Sequence, residues 1–316
     1  MTRKTLSLKT KRVKEIRPAK VAVEQEKSID PQKRFAEGVA INPTQIIRLE
    51  SERPSNLTTR AMDLIAPIGM GQRGLIVAPP GCGKSTMLKH VCQSVSLSHP
   101  EIKLYALLID ERPEEVTDFK RNVSAQVHAS SCDESYEQHV RVADKLLNIA
   151  RKEAGEGHNV MIVIDSLTRL SRVHNAERKS SGRTISGGLD ARALEIPRKL
   201  FGAARNIEDG GSLTILATIL VDTGSQMDQV IFEEFKGTGN MEVVLSREVA
   251  QQRIFPALDI AKSSTRREEL LLNPKDIQKI TALRRSLTTL KPIEGAQKLA
   301  LLLKKYPTNE ALLKSL

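Results

Sequence analysis

The stretch Ala78-Pro79-Pro80-Gly81-Cys82-Gly83-Lys84-Ser85 decides the fold of this 316-residue chain. It follows a short apolar run, Leu75–Ala78, and opens a segment with helical periodicity, Lys84–Ser94. A glycine-containing turn between a buried strand and a helix is the setting of a phosphate-binding loop, or P-loop. Gly81 and Gly83 allow backbone N–H groups to face a phosphate, and the start of the helix adds positive potential. The usual pattern begins with glycine, and this chain has alanine there.

Two side chains at the end of this turn have the chemistry for a nucleotide and its cation. Lys84 can reach the β- and γ-phosphates of ATP, and the Ser85 hydroxyl can bind Mg²⁺. A second apolar run, Met161–Ile164, is followed by Asp165, and ligands of open α/β sheets bind at the carboxyl ends of the strands. Asp165 is therefore predicted to hold the water shell of Mg²⁺ opposite Ser85. The alternative is a buried aspartate that caps the following helix.

A third apolar run, Leu104–Ile109, is followed by further charged residues. Glu111 and Arg112 come just after it, at what would be the same edge of the sheet. Glu111 is predicted to orient and polarise the attacking water, and Arg112 to contact the γ-phosphate. Surface charge at a strand end is the alternative that the local sequence leaves open.

The spacing of apolar residues predicts an α/β fold. Short apolar runs alternate with amphipathic stretches of helical period, a pattern typical of a mostly parallel sheet with helices on both faces. The predicted strands are Leu75–Ala78, Leu104–Ile109, Met161–Ile164, Leu213–Val221 and Val243–Leu245. The predicted helices are Lys84–Ser94, Glu114–Asn122, Tyr136–Ala154, Asp228–Phe235 and, with a break or kink at Pro197, Ala191–Asn206.

Composition divides the chain into four segments. Residues 1–34 carry eleven Lys and Arg against four Asp and Glu, and they are predicted to form a disordered basic arm. This arm either lies along phosphates or is a solvated tail without a role. Residues 35–56 are predicted to be a connector, residues 57–273 the ATPase core, and residues 274–316 a short helical C-terminal cap.

Charge and composition narrow the class of protein. The formal net charge of +11 favours a polyanionic partner, nucleic acid before membrane, although solubility alone would also explain it. Because no run of about 18 apolar residues is present, no transmembrane helix is expected. No apolar segment follows Met1-Thr2-Arg3-Lys4, so the cytoplasm is the expected location. Cys82, Cys92 and Cys132 form no CxxC pair, which argues against a disulfide framework and against a zinc site.

Longer stretches of the chain resemble the Rho family of bacterial transcription termination factors. The resemblance runs from about Thr44 to beyond Asp276, and Glu233–Met241 is far more specific than a P-loop. It implies a RecA-like P-loop ATPase core and a homohexameric ring. It also implies ATP-driven 5′-to-3′ translocation of single-stranded RNA, which strips transcripts from RNA polymerase. The stretches that carry it are Gly71–Pro80, Leu107–Val116, Ile164–Leu170, Phe201–Asn206, Gly210–Thr214, Phe232–Met241 and Thr265–Leu271.

The resemblance implies roles for residues that local patterns do not mark. Phe255 would stack on the adenine, although a core aromatic is the alternative. Arg253 and Arg266 would reach the γ-phosphate bound by a neighbouring subunit and neutralise charge in the transition state. The ATP site would comprise Gly69, Met70, Gly71, Gln72, Arg73 and Gly74 at its entrance, together with Gly81, Cys82, Gly83, Lys84, Ser85, Thr86, Arg112 and Phe255.

Two loops would line the central pore of the ring and bind RNA. In the first, residues 180–188, glycines permit close approach of the backbone, and hydroxyls and a guanidinium can contact phosphate and the 2′-OH. In the second, residues 221–228, hydroxyl groups can bind a sugar–phosphate backbone. Without the resemblance, both would be ordinary polar surface loops. The implied RNA-binding residues are Arg183, Thr184, Gly187, Gly188, Thr223, Gly224, Ser225 and Gln226.

The chain departs from the family pattern in three places. Gln226 stands where the family usually has lysine, and Gly81 is also commonly lysine. Two phosphate-facing cations are therefore missing, and activity is expected to be lower or differently tuned. The family's N-terminal OB-fold RNA clamp is expected to be absent. Only 56 residues precede Leu57, and Phe35 is the only aromatic residue among them.

Two other functions stay open at this point. A truncated paralogue could bind nucleic acid or regulate full-length relatives in mixed rings, which Gln226 and the expected loss of the clamp would suit. A rotary-type ATPase subunit shares the fold and the trans-acting arginine. ATP turnover that RNA stimulates would favour the motor, turnover that RNA does not change would favour the rotary subunit, and no turnover would favour the regulator.

Overall fold

A computed structural model of the chain describes residues 30–51, 56–177, 184–190 and 192–316, with the side chains of 177 and 184–186 excepted. Most of the predicted basic arm and the predicted RNA contact Arg183 lie outside these residues.

A nine-stranded sheet in the described part of the chain confirms the predicted α/β fold. Its strands are β1 (Ala40–Ile41), β4 (Arg73–Ala78), β5 (Lys103–Glu111), β6 (Gln126–Ser131), β7 (Asn159–Asp165), β10 (Arg205–Ile207), β11 (Ser212–Leu220), β12 (Met241–Val244) and β13 (Ser264–Thr265). Six of them run parallel in the order β12-β4-β11-β7-β5-β6, whereas β13, β10 and β1 pair antiparallel. Two small antiparallel pairs are β2 (Ile46–Ile47) with β3 (Ile68–Gly69), and β8 (Thr184–Ile185) with β9 (Leu189–Asp190).

Helices cover both faces of the sheet. Successive side chains of each buried strand point to opposite faces, so each strand contributes to two hydrophobic cores. In β4, Ile76 and Ala78 join one core, whereas Leu75 and Val77 join the other. The first core contains residues of α2 (Leu57–Ile65), α3 (Lys84–Ser98), α4 (Pro113–Asn122), α10 (Pro274–Thr288), α11 (Pro292–Lys305) and α12 (Asn309–Lys314). The second contains residues of α1 (Pro31–Glu37), α5 (Tyr136–Gly155), α6 (Leu167–Glu177), α7 (Glu195–Phe201) and α8 (Gln226–Lys236). A short helix, α9 (Arg247–Gln251), packs against α11.

One predicted helix is wrong in extent. Of the described residues 192–206 of the predicted stretch Ala191–Asn206, Glu195–Phe201 form the helix α7, and β10 begins at Arg205. Pro197 is the third residue of α7, where the backbone N–H has no partner inside the helix, so it produces no kink.

The N-terminal residues of the described chain pack into the domain. α1 crosses the predicted boundary at residue 34, and its Phe35 is 2% exposed in the second core. Close packing of α1 on α5 depends on Gly155, since a Cβ there would lie 1.8 Å from the Pro31 carbonyl oxygen. No helix among the described residues is long and apolar enough to cross a membrane.

Candidate functional site

The turn after β4 has the backbone of a phosphate-binding loop. Gly81 and Gly83 have φ values of +80° and +90°, in the left-handed region that favours glycine. A Cβ on Gly81 would meet no atom within 4 Å, so backbone conformation and not space calls for glycine there. Gly83 is the N-cap of α3, which directs the first N–H groups of the helix into the turn.

Lys84, Ser85 and Asp165 meet at the carboxyl edge of the sheet, as predicted from the strand ends. Lys84 Nζ donates to Asp165 Oδ1 over 2.6 Å, and Ser85 Oγ donates to Oδ2 over 2.8 Å. Thr218 of β11 donates a third hydrogen bond, with Oγ1 2.8 Å from Oδ1. Burial would raise the pKa of Asp165, but the Lys84 ammonium and these hydrogen bonds outweigh it and hold the pKa below its ordinary value. Asp165 is therefore a stable anion.

Glu111 is a buried carboxylate beside this cluster. Its Oε1 lies 3.6 Å from Lys84 Nζ and 3.3 Å from Arg169 Nη2, and no described residue forms a close, well-aligned hydrogen bond to either oxygen. Burial raises the pKa of Glu111 to about 7, the Asp165 carboxylate and the neighbouring Glu115 carboxyl add to the rise, and the two cations oppose it. A buried carboxylate held near neutrality can exchange a proton with a water molecule in the adjoining cavity.

Two cavities adjoin the loop. One, of about 550 Å³, is lined by Lys84 and Ser85 and by the cations Lys89, Arg112 and Arg169. The other, of about 310 Å³, also borders Gly83 and is lined by the Phe255 ring, which is 47% exposed. The partial exposure of Phe255 argues against the alternative of a core aromatic. The predicted ATP residues Gly81, Gly83 and Thr86 line both cavities, and Cys82 lines the second.

The donor set at the loop fits Mg²⁺ only in company with a phosphate. Ser85 and Asp165 supply oxygen ligands, the type that Mg²⁺ prefers. No group of three or more His, Cys, Asp or Glu within the described ranges could hold a metal ion. Protein groups therefore cover few of the six positions of an octahedral ion, and phosphate and water oxygens would fill the rest.

The predicted entrance residues lie elsewhere. Arg73 begins β4, about 17 Å along the strand from Ala78 at roughly 3.3 Å per residue. Gly71 lies close against the backbone of Asn206, and Gln72 Nε2 donates to Asn240 Oδ1. The whole set is at the amino edge of the sheet and lines neither cavity: Gly69, Met70, Gly71, Gln72, Arg73 and Gly74.

The two predicted trans-acting arginines lie at opposite edges of the sheet. Arg266 is exposed at the amino edge, where its backbone N–H donates to the Asn240 carbonyl beside the start of β4. Arg253 is exposed two residues before Phe255, close to the chain's own loop. Arg266 therefore cannot reach a phosphate bound by its own P-loop.

The two predicted RNA loops touch each other. Gly187 has a φ of +76°, and a Cβ there would lie 2.6 Å from the Met227 backbone nitrogen, next to Gln226. In the second loop, Ser225 caps α8 and Thr223 Oγ1 donates to Asp228 Oδ2 over 2.6 Å. The remaining predicted residues in the described chain are Thr184 in β8, the exposed Gly188, Gly224 with a φ of +80°, and the exposed Gln226.

Two arginines of the site were not predicted. Arg169 donates to the Asp110 carbonyl and contacts Glu111, and Arg172 binds Asp228 below the second loop. The sequence carries a signal for their helix: Leu167, Leu170 and Val173 recur every three residues.

Comparisons with known proteins place the chain among ATPases. The nucleotide-binding domain of the ATP synthase alpha/beta family matches residues 58–265. Transcription termination factor Rho of Aquifex aeolicus (strain VF5) is 50% identical over 284 residues, which cover 89% of this chain and 65% of the relative. Rho of Karelsulcia muelleri (strain SMDSEM) is 47% identical over 289 residues, covering 92% and 76%. The chain thus spans less than two thirds of the Aquifex aeolicus protein.

A solved structure shares the fold at lower identity. A prototypical ATPase from the type III secretion system of pathogenic bacteria matches with a TM-score of 0.72 and 23% identity, covering 88% of this chain and 85% of that one.

Proposed function

We propose that this chain, which belongs to the transcription termination factor Rho family, is an RNA-dependent ATPase that moves single-stranded RNA through a ring of subunits. The observation that carries the proposal is the meeting of Lys84, Ser85, Asp165 and Glu111 beside a P-loop. The wider proposal is a homohexameric, helicase-type motor that acts in the cytoplasm on transcripts held by RNA polymerase.

Binding of ATP would rearrange the cluster around Asp165. Lys84 would turn from Asp165 Oδ1 to the β- and γ-phosphates, while loop N–H groups bind the β-phosphate. Ser85 and Asp165 would then hold Mg²⁺, which neutralises developing charge on the phosphates when bound.

Glu111 would act on the attacking water. Its carboxylate lies at the end of β5, beside the phosphate cavity, and it accepts no close hydrogen bond from described residues. It can therefore accept one from a water molecule and take its proton as the water attacks the γ-phosphate. Arg112 from the same chain would contact the γ-phosphate, and Arg266 of a neighbouring subunit would neutralise charge on it.

RNA would bind where the two polar loops meet. Gly187 against Gln226 and Met227 joins both loops into one surface, where Gly224 and Gln226 are exposed. The Thr223 hydroxyl is bound to Asp228, whereas Ser225 Oγ accepts from the Asp228 N–H and can donate its own proton to RNA. Asp228, at the end of the second loop, binds Arg172 of α6, and α6 begins beside Asp165. A shift of the second loop can therefore move α6. RNA binding can thus bias the geometry of the ATP site.

The test is ATP turnover with and without poly-C RNA, for the wild type and for Gln226→Lys. RNA should stimulate both proteins, and the added cation should tighten RNA binding at moderate salt and steepen its salt dependence by about 0.7 in log–log slope. Turnover that RNA does not change in either protein would overturn the proposal and favour the rotary-type alternative. No turnover at all would favour the regulator.

A further inference from the structure

The cavity beside Phe255 has the form of a nucleobase pocket with one polar end. Phe255, Met87 and Pro256 supply apolar walls, and the volume of about 310 Å³ is at the lower end for small-molecule sites. Among the described lining residues, Thr58, Thr86 and His90 have side-chain nitrogen or oxygen atoms, and Cys82 has a thiol that donates to the Pro80 carbonyl. A flat ligand between these walls would meet few polar groups, so each one contributes strongly to its specificity.

The position of this cavity assigns it to the base of the same nucleotide. It shares Gly81, Gly83 and Thr86 with the phosphate cavity, so the two spaces adjoin the same P-loop. The Phe255 ring carbons lie 3.9–4.0 Å from where a Cβ on Gly83 would be. One nucleotide can place its phosphates in the larger space and its base against Phe255.

Thr58 and His90 form a hydrogen-bonded pair in this pocket. Thr58 Oγ1 lies 3.2 Å from His90 Nδ1, and no other described residue binds the Thr58 hydroxyl or His90 Nε2. Burial, with the nearby Lys89 charge, lowers the pKa of His90, so the imidazole is neutral at neutral pH. Nδ1 either donates to the Thr58 hydroxyl or accepts from it, and acceptance leaves the proton of the neutral imidazole on Nε2.

We infer that the Thr58 hydroxyl donates to His90 Nδ1, and that His90 is the base-specificity residue of this chain and donates Nε2–H to a ring nitrogen of adenine. The inference rests on the proposed ATPase function and adds an explanation of how the site selects its nucleotide. Adenine accepts at every ring nitrogen that is not bonded to ribose, whereas guanine carries a proton on N1. A donor in the pocket therefore favours ATP if it faces that edge.

The experiment is a competition binding assay without RNA, in which ATP and its 1-deaza, 3-deaza and 7-deaza analogues displace a fluorescent nucleotide. The wild type should bind one deaza analogue about fivefold more weakly than ATP, the size of one hydrogen bond. His90→Asn, which keeps a polar group near Nδ1 only, should bind that analogue and ATP equally. His90→Gln, which restores a donor near Nε2, should keep the discrimination.

Thr58→Val gives a second route to the same answer, because it keeps the shape of Thr58 and removes the hydroxyl that fixes His90. It should also lose the discrimination, whereas His158→Asn, at an exposed histidine, should keep it. Discrimination that survives in His90→Asn, or that the wild type lacks for every analogue, would overturn the inference, and discrimination that survives in Thr58→Val alone would overturn the part assigned to Thr58. Since the assay contains no RNA, a lack of RNA-stimulated turnover counts against the proposed function alone.

Discussion

Arg172 of α6 binds Asp228 of α8 through two N–H groups, with Nε 2.8 Å from Oδ1 and Nη2 2.5 Å from Oδ2. Asp228 also accepts a hydrogen bond from Thr223 in the second RNA loop. One turn earlier on α6, Arg169 contacts Glu111. A single helix therefore touches both the loop proposed to bind RNA and the carboxylate proposed to activate water.

We expect Asp228→Asn to uncouple RNA from hydrolysis. The amide keeps the size of Asp228 but removes the charge that holds Arg172, so the loop can move without moving α6. Stimulation of ATP turnover by saturating poly-C should fall about tenfold, within the usual range of coupling between sites. The rate of ATP turnover without RNA should change far less, because neither Asp228 nor Arg172 lines the phosphate cavity.

A matched control is Arg198→Gln, which breaks an ion pair with Glu234 on the exposed surface. It should leave RNA stimulation intact. Full stimulation in Asp228→Asn would show that α6 does not transmit the signal.

The second prediction concerns the pH dependence of turnover. Glu111, whose pKa burial raises to about 7, can accept a proton only when ionised. The turnover number should therefore rise with pH and level off above about pH 7. Glu111→Gln should lower it by about 10²–10⁴-fold and remove this acid limb. The check is a pH–rate profile at saturating ATP and RNA, and a limb that persists in Glu111→Gln would exclude Glu111 as its source.

The same carboxylate should destabilise the folded chain at high pH. Its folded pKa lies above the ordinary glutamate value, so its contribution is complete below about pH 4.5 and is lost as pH rises through about 7. Glu111→Gln should therefore raise the melting temperature at pH 8 by about 2 °C or more, with a smaller gain near pH 5. Glu208→Gln, at an exposed position, should show no such trend. Equal gains at both pH values would mean that ionisation of Glu111 is not the cause.

The sequence predicted those features of the fold and the site that depend on a single strand or helix. Continuous apolar runs identified β4, β5, β7 and β11 because each is buried on both faces. The meeting of Lys84, Asp165 and Glu111 followed from the rule that parallel strands end at one edge of the sheet. The edge strand β6 was missed, because its half-exposed polar residues carry no apolar run.

The contacts that the sequence could not predict depend on how helices and strands pack against one another. Arg169 reaches Glu111 only because α6 lies across the end of β5, and no spacing along the chain encodes that contact. Thr58 and His90 meet because α2 packs on α3. Likewise, the distance of Gly69–Gly74 from the P-loop depends on the length and direction of β4.

The fourth prediction separates backbone strain from loop contact. Gly187 and Gly188 have nearly equal φ values, +76° and +75°, so alanine strains either backbone alike. Only at Gly187 would the new Cβ meet the second loop, 2.6 Å from the Met227 nitrogen, whereas Gly188 has open space. Gly187→Ala should therefore weaken RNA binding more than Gly188→Ala, by about tenfold if roughly 1.4 kcal/mol of contact strain is added. Equal affinities in an RNA titration would mean that the contact between the loops does not shape the RNA surface.

The position of Arg266 leads to a complementation test of the shared site. Arg266 lies at the amino edge of the sheet, about 17 Å along β4 from its own P-loop, so in the proposed ring it would act on a neighbour's nucleotide. Lys84→Ala and Arg266→Ala should each abolish most turnover alone. In mixed rings, an intact P-loop on an Arg266→Ala subunit can face the intact Arg266 of a Lys84→Ala subunit. Mixing the two variants should therefore recover a measurable fraction of the RNA-stimulated rate.

The control for this test is a mixture of Lys84→Ala with Ser85→Ala. Both variants damage the P-loop side of the interface, so no complete site can form. Recovery confined to the Arg266→Ala mixture would assign the arginine to the neighbouring site, because only that pairing restores both halves. An inactive Arg266→Ala mixture, in rings shown by mass spectrometry to contain both variants, would place the essential arginine elsewhere. The exposed Arg253, near the chain's own loop, would be the next residue to test.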